Sequence, residues 1–199
     1  MLHPADETLD ARNDSLIDAR YDALARGVRA QHQIRRFAKL CLQLLVFAAL
    51  IGALFFRAPQ VEGQSMVPTI ADGTHVLINT LAYRFGRPIA RGDVVAFEQG
   101  EGEDRKVLLK RVVGLPGDRV AFEDGRIEID GAPLQEPYHP VLDRTNLRPV
   151  VVPQGSLFVV GDNRAESDDS RLFGPVAESV IVGKALLVVW PPGCVSQIH

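Results

Sequence analysis

The sequence is poor in the residues that staple or metallate small domains. Its 199 residues include two cysteines, Cys41 and Cys194, too few and too far apart for a disulfide framework or a Cys-X-X-Cys ligand pair. The five histidines, His3, His32, His75, His139 and His199, are scattered singly. The chain therefore implies no metal and no cofactor. It also lacks a basic surplus: 22 Lys and Arg face 25 Asp and Glu, a net charge of -3, which argues against nucleic acid as a partner. The sharper absences are local. No Asp or Glu occurs between Asp22 and Glu62, and before Phe56 there is one proline of 13 and two glycines of 17. Composition splits the chain in two.

What occupies the acid-free stretch is an apolar run. Residues 40–56 carry no charge, and Gln43 is their one strongly polar member. Seventeen residues at ~1.5 Å each cover roughly 25 Å, so residues 37–57, with Lys39 snorkelling, complete a spanning helix. A buried core helix and a cleaved signal peptide are the plainer alternatives. Against them stand the absence of a helical partner layer, the thirty-nine residues before the run and the lack of a close Ala-X-Ala site after it. Arg20, Arg26, Arg29, Arg35, Arg36 and Lys39 precede the span, whereas Arg57 alone follows it closely. That bias places the N-terminus in the cytoplasm and the rest of the chain outside. Residues 1–36 form a cytoplasmic arm in which Ile17, Tyr21, Leu24 and Val28 recur at helical spacing behind Asp14 and Ser15 as caps. An amphipathic helix is expected there.

Residues 58–199 read as β structure. Short β-branched runs at 74–80, 93–98, 106–113, 118–123, 126–130, 148–152, 156–161 and 180–190 alternate with turn residues. Asp124-Gly125 predicts a tight hairpin. Runs apolar on both faces, such as 107–113, suit strands buried between layers, so the expected fold is mainly β, an irregular antiparallel β-sandwich or barrel. The proline-rich stretch 131–149 reads as an excursion from it.

Three segments invite chemistry. In 63–69 (GQSMVPT) a glycine and a proline bracket Ser65 on a constrained turn, which suits an exposed nucleophile; most turn serines are only that. In 107–113 (VLLKRVV) strand alternation puts Lys110 with Leu108 and Val112, and Arg111 with Leu109 and Val113. Its plain reading is an edge-strand lysine, but apolar surroundings lower a lysine pKa and let the neutral amine take a serine proton. The third, 161–171 (GDNRAESDDSR), is too dense in hydroxyls and carboxylates for a simple loop. Arg164 and Arg171 interrupt any calcium-loop spacing and point to internal ion pairs.

Together these segments resemble bacterial type I signal peptidases, the membrane-bound Ser-Lys endopeptidases that remove signal peptides from preproteins. The resemblance is carried by 65–69 (SMVPT), 91–95 (RGDVV), 110–118 (KRVVGLPGD) and 161–171, in the family's order after an anchor. It implies Ser65 as nucleophile, Lys110 as general base, Ser167 as the group orienting the lysine, an Asp169–Arg171 pair holding the loop, and an Arg111–Asp162 pair across the strand. Met66, Val61, Ile70 and Leu109 would line shallow subsites for an Ala-X-Ala motif. One position departs: Gly63 stands where some members have a serine that helps the oxyanion, leaving the Ser65 N–H as the donor that the sequence identifies. The implied setting is a bacterial plasma membrane, with exported preproteins, membrane lipid and the export translocon as partners. The rivals are a self-cleaving Ser-Lys repressor, a His-assisted hydrolase using His75 or His139, and an inactive tethered β module that binds signal peptides or translocation partners.

Overall fold

A computed structural model describes residues 33, 35–53, 55–100, 102 and 105–198. The expected amphipathic helix of the arm, with Ile17, Tyr21, Leu24 and Val28, lies outside them. The chain divides between Gly52 and Ala53 into two compact units. All but the last residue of helix α1 (Arg35–Ala53) lies in the first; the helix is 19 residues long and apolar enough to cross a membrane. None of its most apolar stretch is buried, and Leu42, Leu45 and Phe47 are more than 60% exposed, which a soluble core helix could not sustain. Compared with the expected span of 37–57, the helix starts two residues earlier. Phe56 and Arg57 are no longer helical and instead form the first strand.

The second unit is mainly β, as expected, and every strand pair in it is antiparallel. Its strands are β1 (Phe56–Arg57), β2 (His75–Asn79), β3 (Val94–Gln99), β4 (Lys106–Gly114), β5 (Arg119–Glu123), β6 (Arg126–Ile129), β7 (Ala132–Pro133), β8 (Leu147–Val151), β9 (Ser156–Val160), β10 (Val176–Ala177), β11 (Ile181–Trp190) and β12 (Ser196–Gln197). They form an eight-stranded sheet in the order β1-β2-β11-β3-β4-β9-β10, with β12 also on β11, and a four-stranded sheet in the order β7-β6-β5-β8. Asp124 and Gly125 take φ of 46° and 79°, the left-handed pair that a two-residue hairpin between β5 and β6 needs.

Three apolar clusters hold this unit. On β3, Val94 and Ala96 enter a cluster with Met66, Ile70, Val76 and Ile78, whereas Val95 and Phe97 enter another with Val112, Leu157 and Val159. On β9, Leu157 and Val159 share that second cluster, and Phe158 and Val160 pack with Val113, Val120 and Phe122 in a third. Strands buried on both faces read as unbroken apolar runs rather than alternating ones. Each fully buried valine, leucine or phenylalanine contributes about 1.5–3 kcal/mol relative to exposure, so β3 and β9 form the rigid centre.

Register carries one further fact. Phe56 pairs with Asn79, Asn79 with Lys184, Lys184 with Val95, and Val95 with Lys110. A single cross-strand row thus runs over five strands from Phe56, the start of β1, to Lys110. Four interstrand spacings amount to roughly 19 Å.

Candidate active site

Lys110 sits in the middle of β4, on the central strand pair. Its side chain is 3% exposed, because β3 and β9 flank it and the turn carrying Ser65 closes over its end. Ser65 lies in that turn, whose form is fixed by backbone bonds from Val67 N–H to the Gln64 carbonyl and from Ile70 N–H to the Met66 carbonyl. Lys110 Nζ and Ser65 Oγ are 2.7 Å apart. Burial holds the Lys110 pKa below the ordinary lysine value; the nearby carboxylates of Asp169, Asp168 and Asp162 oppose this shift and Arg171 adds to it. Desolvation wins because it disfavours the ammonium outright.

The strand alternation read from the sequence holds, since Leu108 and Val112 join one cluster while Leu109 and Val113 join two others. Arg111, fully buried, reaches Asp162 through two parallel bonds, Nε to Oδ1 at 2.8 Å and Nη2 to Oδ2 at 2.7 Å, and donates a third to the Gly92 carbonyl. Asp169 and Arg171 make the second expected pair, again two-pronged, at 2.8 and 2.9 Å. Removing one partner of such a buried pair typically costs about 3–5 kcal/mol, because a charge is left without compensation.

Ser167 departs from its expected place. Among the described residues Lys110 makes its hydrogen bond to Ser65, and the Ser167 hydroxyl donates instead to Asp169 Oδ2 at 2.7 Å. The hydroxyl's single proton goes to a charged acceptor two residues on. The four apolar residues also divide. Met66 and Ile70 are 1% and 0% exposed, core members, whereas Val61 and Leu109 pack against them half-buried and keep part of their surface exposed. Gly63 has φ of +97° and donates its N–H to Asp72 Oδ1 at 2.9 Å, a backbone state that a serine adopts only at a cost. His75 Nδ1 is bonded to the Ala58 carbonyl at 3.1 Å.

Several residues of the site were not singled out by the sequence. Gly161 is one: a Cβ there would come within 2.3 Å of Ser167 Oγ and 2.4 Å of the Ser65 carbonyl, so three parts of the site converge on its bare Cα. The N–H of Asn163 donates to the Ser65 carbonyl at 3.0 Å and fastens the serine turn to the 161–171 loop. Thr69 donates to Asp162, tying the same turn to the buried ion pair. The supposed excursion 131–149 returns to the site. Tyr138 stacks on the Arg111 guanidinium, 3.8 Å from ring centroid to Cζ; Glu136 pairs with Arg164; Asp143 pairs with Arg171. Val141 bridges to the loop through its N–H to the Asp162 carbonyl and its own carbonyl to the Arg164 N–H. Gly161 and Thr69 sit inside recognisable motifs, whereas nothing near Tyr138 in sequence marks it.

The family profile described as "Signal peptidase, peptidase S26" matches residues 34–190. Signal peptidase I V of Bacillus subtilis (strain 168) is 39% identical over 153 residues, 70% of this chain and 89% of that protein. Signal peptidase I of Bacillus caldolyticus is 41% identical over 145 residues, 66% of this chain and 78% of its own. The crystal structure of a signal peptidase I from Enterococcus faecalis V583 is 33% identical and covers 49% of this chain and 97% of its own, with a TM-score of 0.41.

Proposed function

We propose, from the premise that the chain belongs to the signal peptidase family, peptidase S26, that it is a membrane-anchored serine endopeptidase in which Ser65 and Lys110 cleave signal peptides from exported preproteins. The observation that carries this reading is the 2.7 Å contact between Ser65 Oγ and a buried Lys110 Nζ whose pKa is lowered. In its neutral form Lys110 accepts the Ser65 hydroxyl proton as Oγ attacks the scissile carbonyl carbon. The tetrahedral oxyanion is received by the Ser65 backbone N–H. The Lys110 ammonium then protonates the leaving amine, which departs as the mature protein, and an ester joins the signal peptide to Ser65. Water then gives a proton to Lys110 as its oxygen attacks the ester carbon, the bond from that carbon to Ser65 Oγ breaks, Lys110 returns the proton to Oγ, and the signal peptide leaves with a new carboxyl group.

Asp169 and Arg171, with Ser167 acting through Asp169, hold the loop that backs the lysine. Arg111, Asp162 and Thr69 hold the turn that presents the serine. Val61 and Leu109, over the floor of Met66 and Ile70, receive small residues of an Ala-X-Ala motif, and the substrate lies extended beside the site. The exposed apolar α1 supports a single membrane anchor, with the N-terminus cytoplasmic on the charge bias of residues 20–39 and the β unit outside.

Detergent-solubilised protein is expected to cut a preprotein bearing an Ala-X-Ala site. Ser65→Ala and Lys110→Ala should each abolish cutting, while His75→Ala and His139→Ala keep most of it. Loss in a histidine variant with survival of Lys110→Ala overturns the dyad; an uncut substrate with intact wild type across lipid and pH conditions favours a binding module.

A further inference from the structure

Beside its first strand the β unit holds a cleft that the proposed peptidase chemistry does not use. It encloses about 430 Å³ and is lined by Phe55, Arg57, Thr80, Arg84, Ile181 and Val182, with Tyr83 and Glu98 at its side. Both arginine side chains are exposed, and no described carboxylate lies within ion-pair distance of either. The acid beside them is engaged elsewhere, since Glu98 pairs with Arg105 at 3.1 Å; Tyr83 donates its hydroxyl to Asp93. One side of the cleft is therefore cationic and the other apolar.

Its place along the chain fixes what it meets. The Phe55 carbonyl accepts bonds from both the N–H and the hydroxyl of Thr80, each at 3.0 Å. Phe55 follows the end of α1, Ala53, by two residues, which reach at most about 7 Å. If α1 spans a bilayer, as proposed above and as this inference requires, the cleft lies at headgroup depth. The segment after Thr80 continues the same chemistry: Phe85 is 85% exposed between Arg84 and Arg87, and Phe56 is 41% exposed beside Arg57. Exposed aromatics next to arginines at the end of a span suit the interface, where rings enter the acyl boundary and guanidinium groups meet phosphates.

We propose that this cleft binds the headgroup phosphate of an anionic membrane lipid, with Arg57 and Arg84 as its two cationic ligands and the Phe55, Ile181 and Val182 wall against the start of the acyl chains. A guanidinium offers paired donors to phosphate oxygens, and two of them at one site favour a lipid with net negative charge over a zwitterionic one. Such a ligand would dock the β unit on the bilayer and limit its rotation about the short tether.

The full chain in detergent, titrated with phosphatidylglycerol and with phosphatidylcholine and read by native mass spectrometry, tests this. The wild type is expected to retain phosphatidylglycerol in preference. Arg57→Gln with Arg84→Gln should weaken that retention by about tenfold or more, while Arg126→Gln with Arg148→Gln, the same charge change elsewhere, leaves it intact. Circular dichroism of each variant checks the fold. Equal retention of the two lipids, equal loss in the two double variants, or displacement by equimolar inorganic phosphate overturns the proposal. Flotation with phosphatidylcholine vesicles after alkaline extraction separates the two readings. A wild type that fails to float overturns the anchor and the cleft together, whereas flotation without lipid preference overturns the cleft alone.

Discussion

Lys110 sets stability against chemistry at one side chain. Its pKa is lowered mainly by burial, so between the folded value and the unfolded value near ~10.4 the unfolded chain binds a proton that the native chain does not. The sign follows: this group's contribution to stability rises with pH through that window and is poorest below it. Activity has the same direction on the proposed reading, in which the neutral amine is the base. Cleavage is expected to rise with pH and to level off before an ordinary lysine would titrate; a flat profile from acid to alkaline pH would contradict this. Lys110→Met should abolish cleavage yet match or exceed the wild-type Tm at pH 7, and melting curves from pH 6 to 10 should show its rise with pH diminished. Gly161 is the second residue on which the site turns. In Gly161→Ala the new methyl group has to displace Ser167 or the Ser65 carbonyl, so kcat should fall by about 10²-fold, as for an ångström of misplacement, with roughly 1–3 kcal/mol of overpacking read in denaturant melts. The approach of Ser65 to Lys110 was legible in outline, because motif residues marked both and strand alternation set Lys110 apart from Arg111. The Ser167 contact was not, since the acceptor to which a hydroxyl sends its proton depends on a rotamer and not on spacing.

At the scale of elements, the long strands were read to within a residue or so at their ends: 106–113 was expected and Lys106–Gly114 found, 156–161 expected and Ser156–Val160 found. Such runs are legible because β-branched stretches between turn residues leave few alternatives. The two-residue strands β1, β7, β10 and β12 carry no period and exist only through their partners. The same reason hid the role of 131–149. Its prolines reported a chain leaving the sheet, but its return depends on Tyr138, Val141 and Asp143 meeting residues 21 or more positions away. Tyr138 covers a guanidinium that has no exposure at all, and a stacked cation removed from water is stabilised by up to ~2 kcal/mol. Tyr138→Leu should therefore lower both stability and kcat, and Tyr138→Phe, which keeps the ring and loses only the bond to Glu136, should lower them less. Equal effects of the two variants in melting and cleavage assays would show that the ring face is not what matters. Asp143 is held below its usual range: burial alone would raise it, but the bonds from Thr145 and Arg171 prevail. Its stabilising contribution is accordingly present above pH ~4 and fades as pH falls through the lower folded value.

For the whole molecule, the net charge of -3 conceals a cationic approach to an apolar helix and an acidic β unit beyond it. Orientation can be read directly because the two cysteines lie on different units and both are exposed. In the Cys41→Ser variant, a membrane-impermeant maleimide added to intact protoplasts should label Cys194; labelling only after lysis would reverse the topology. The row of paired residues from Phe56 to Lys110 then acquires a further meaning. Hydrogen-bonded strands hold their register rigidly, so Lys110 keeps a fixed separation of roughly 19 Å, four strand spacings, from the start of β1. If α1 spans a bilayer, as proposed above, such a sheet would work as a gauge, setting a limit on how far from the end of the span a bond can be cut. A preprotein would then be chosen by where its cleavage motif comes to rest as well as by which residues compose it, and an Ala-X-Ala site moved several residues away from its apolar segment should escape cutting while remaining cleavable as a free peptide.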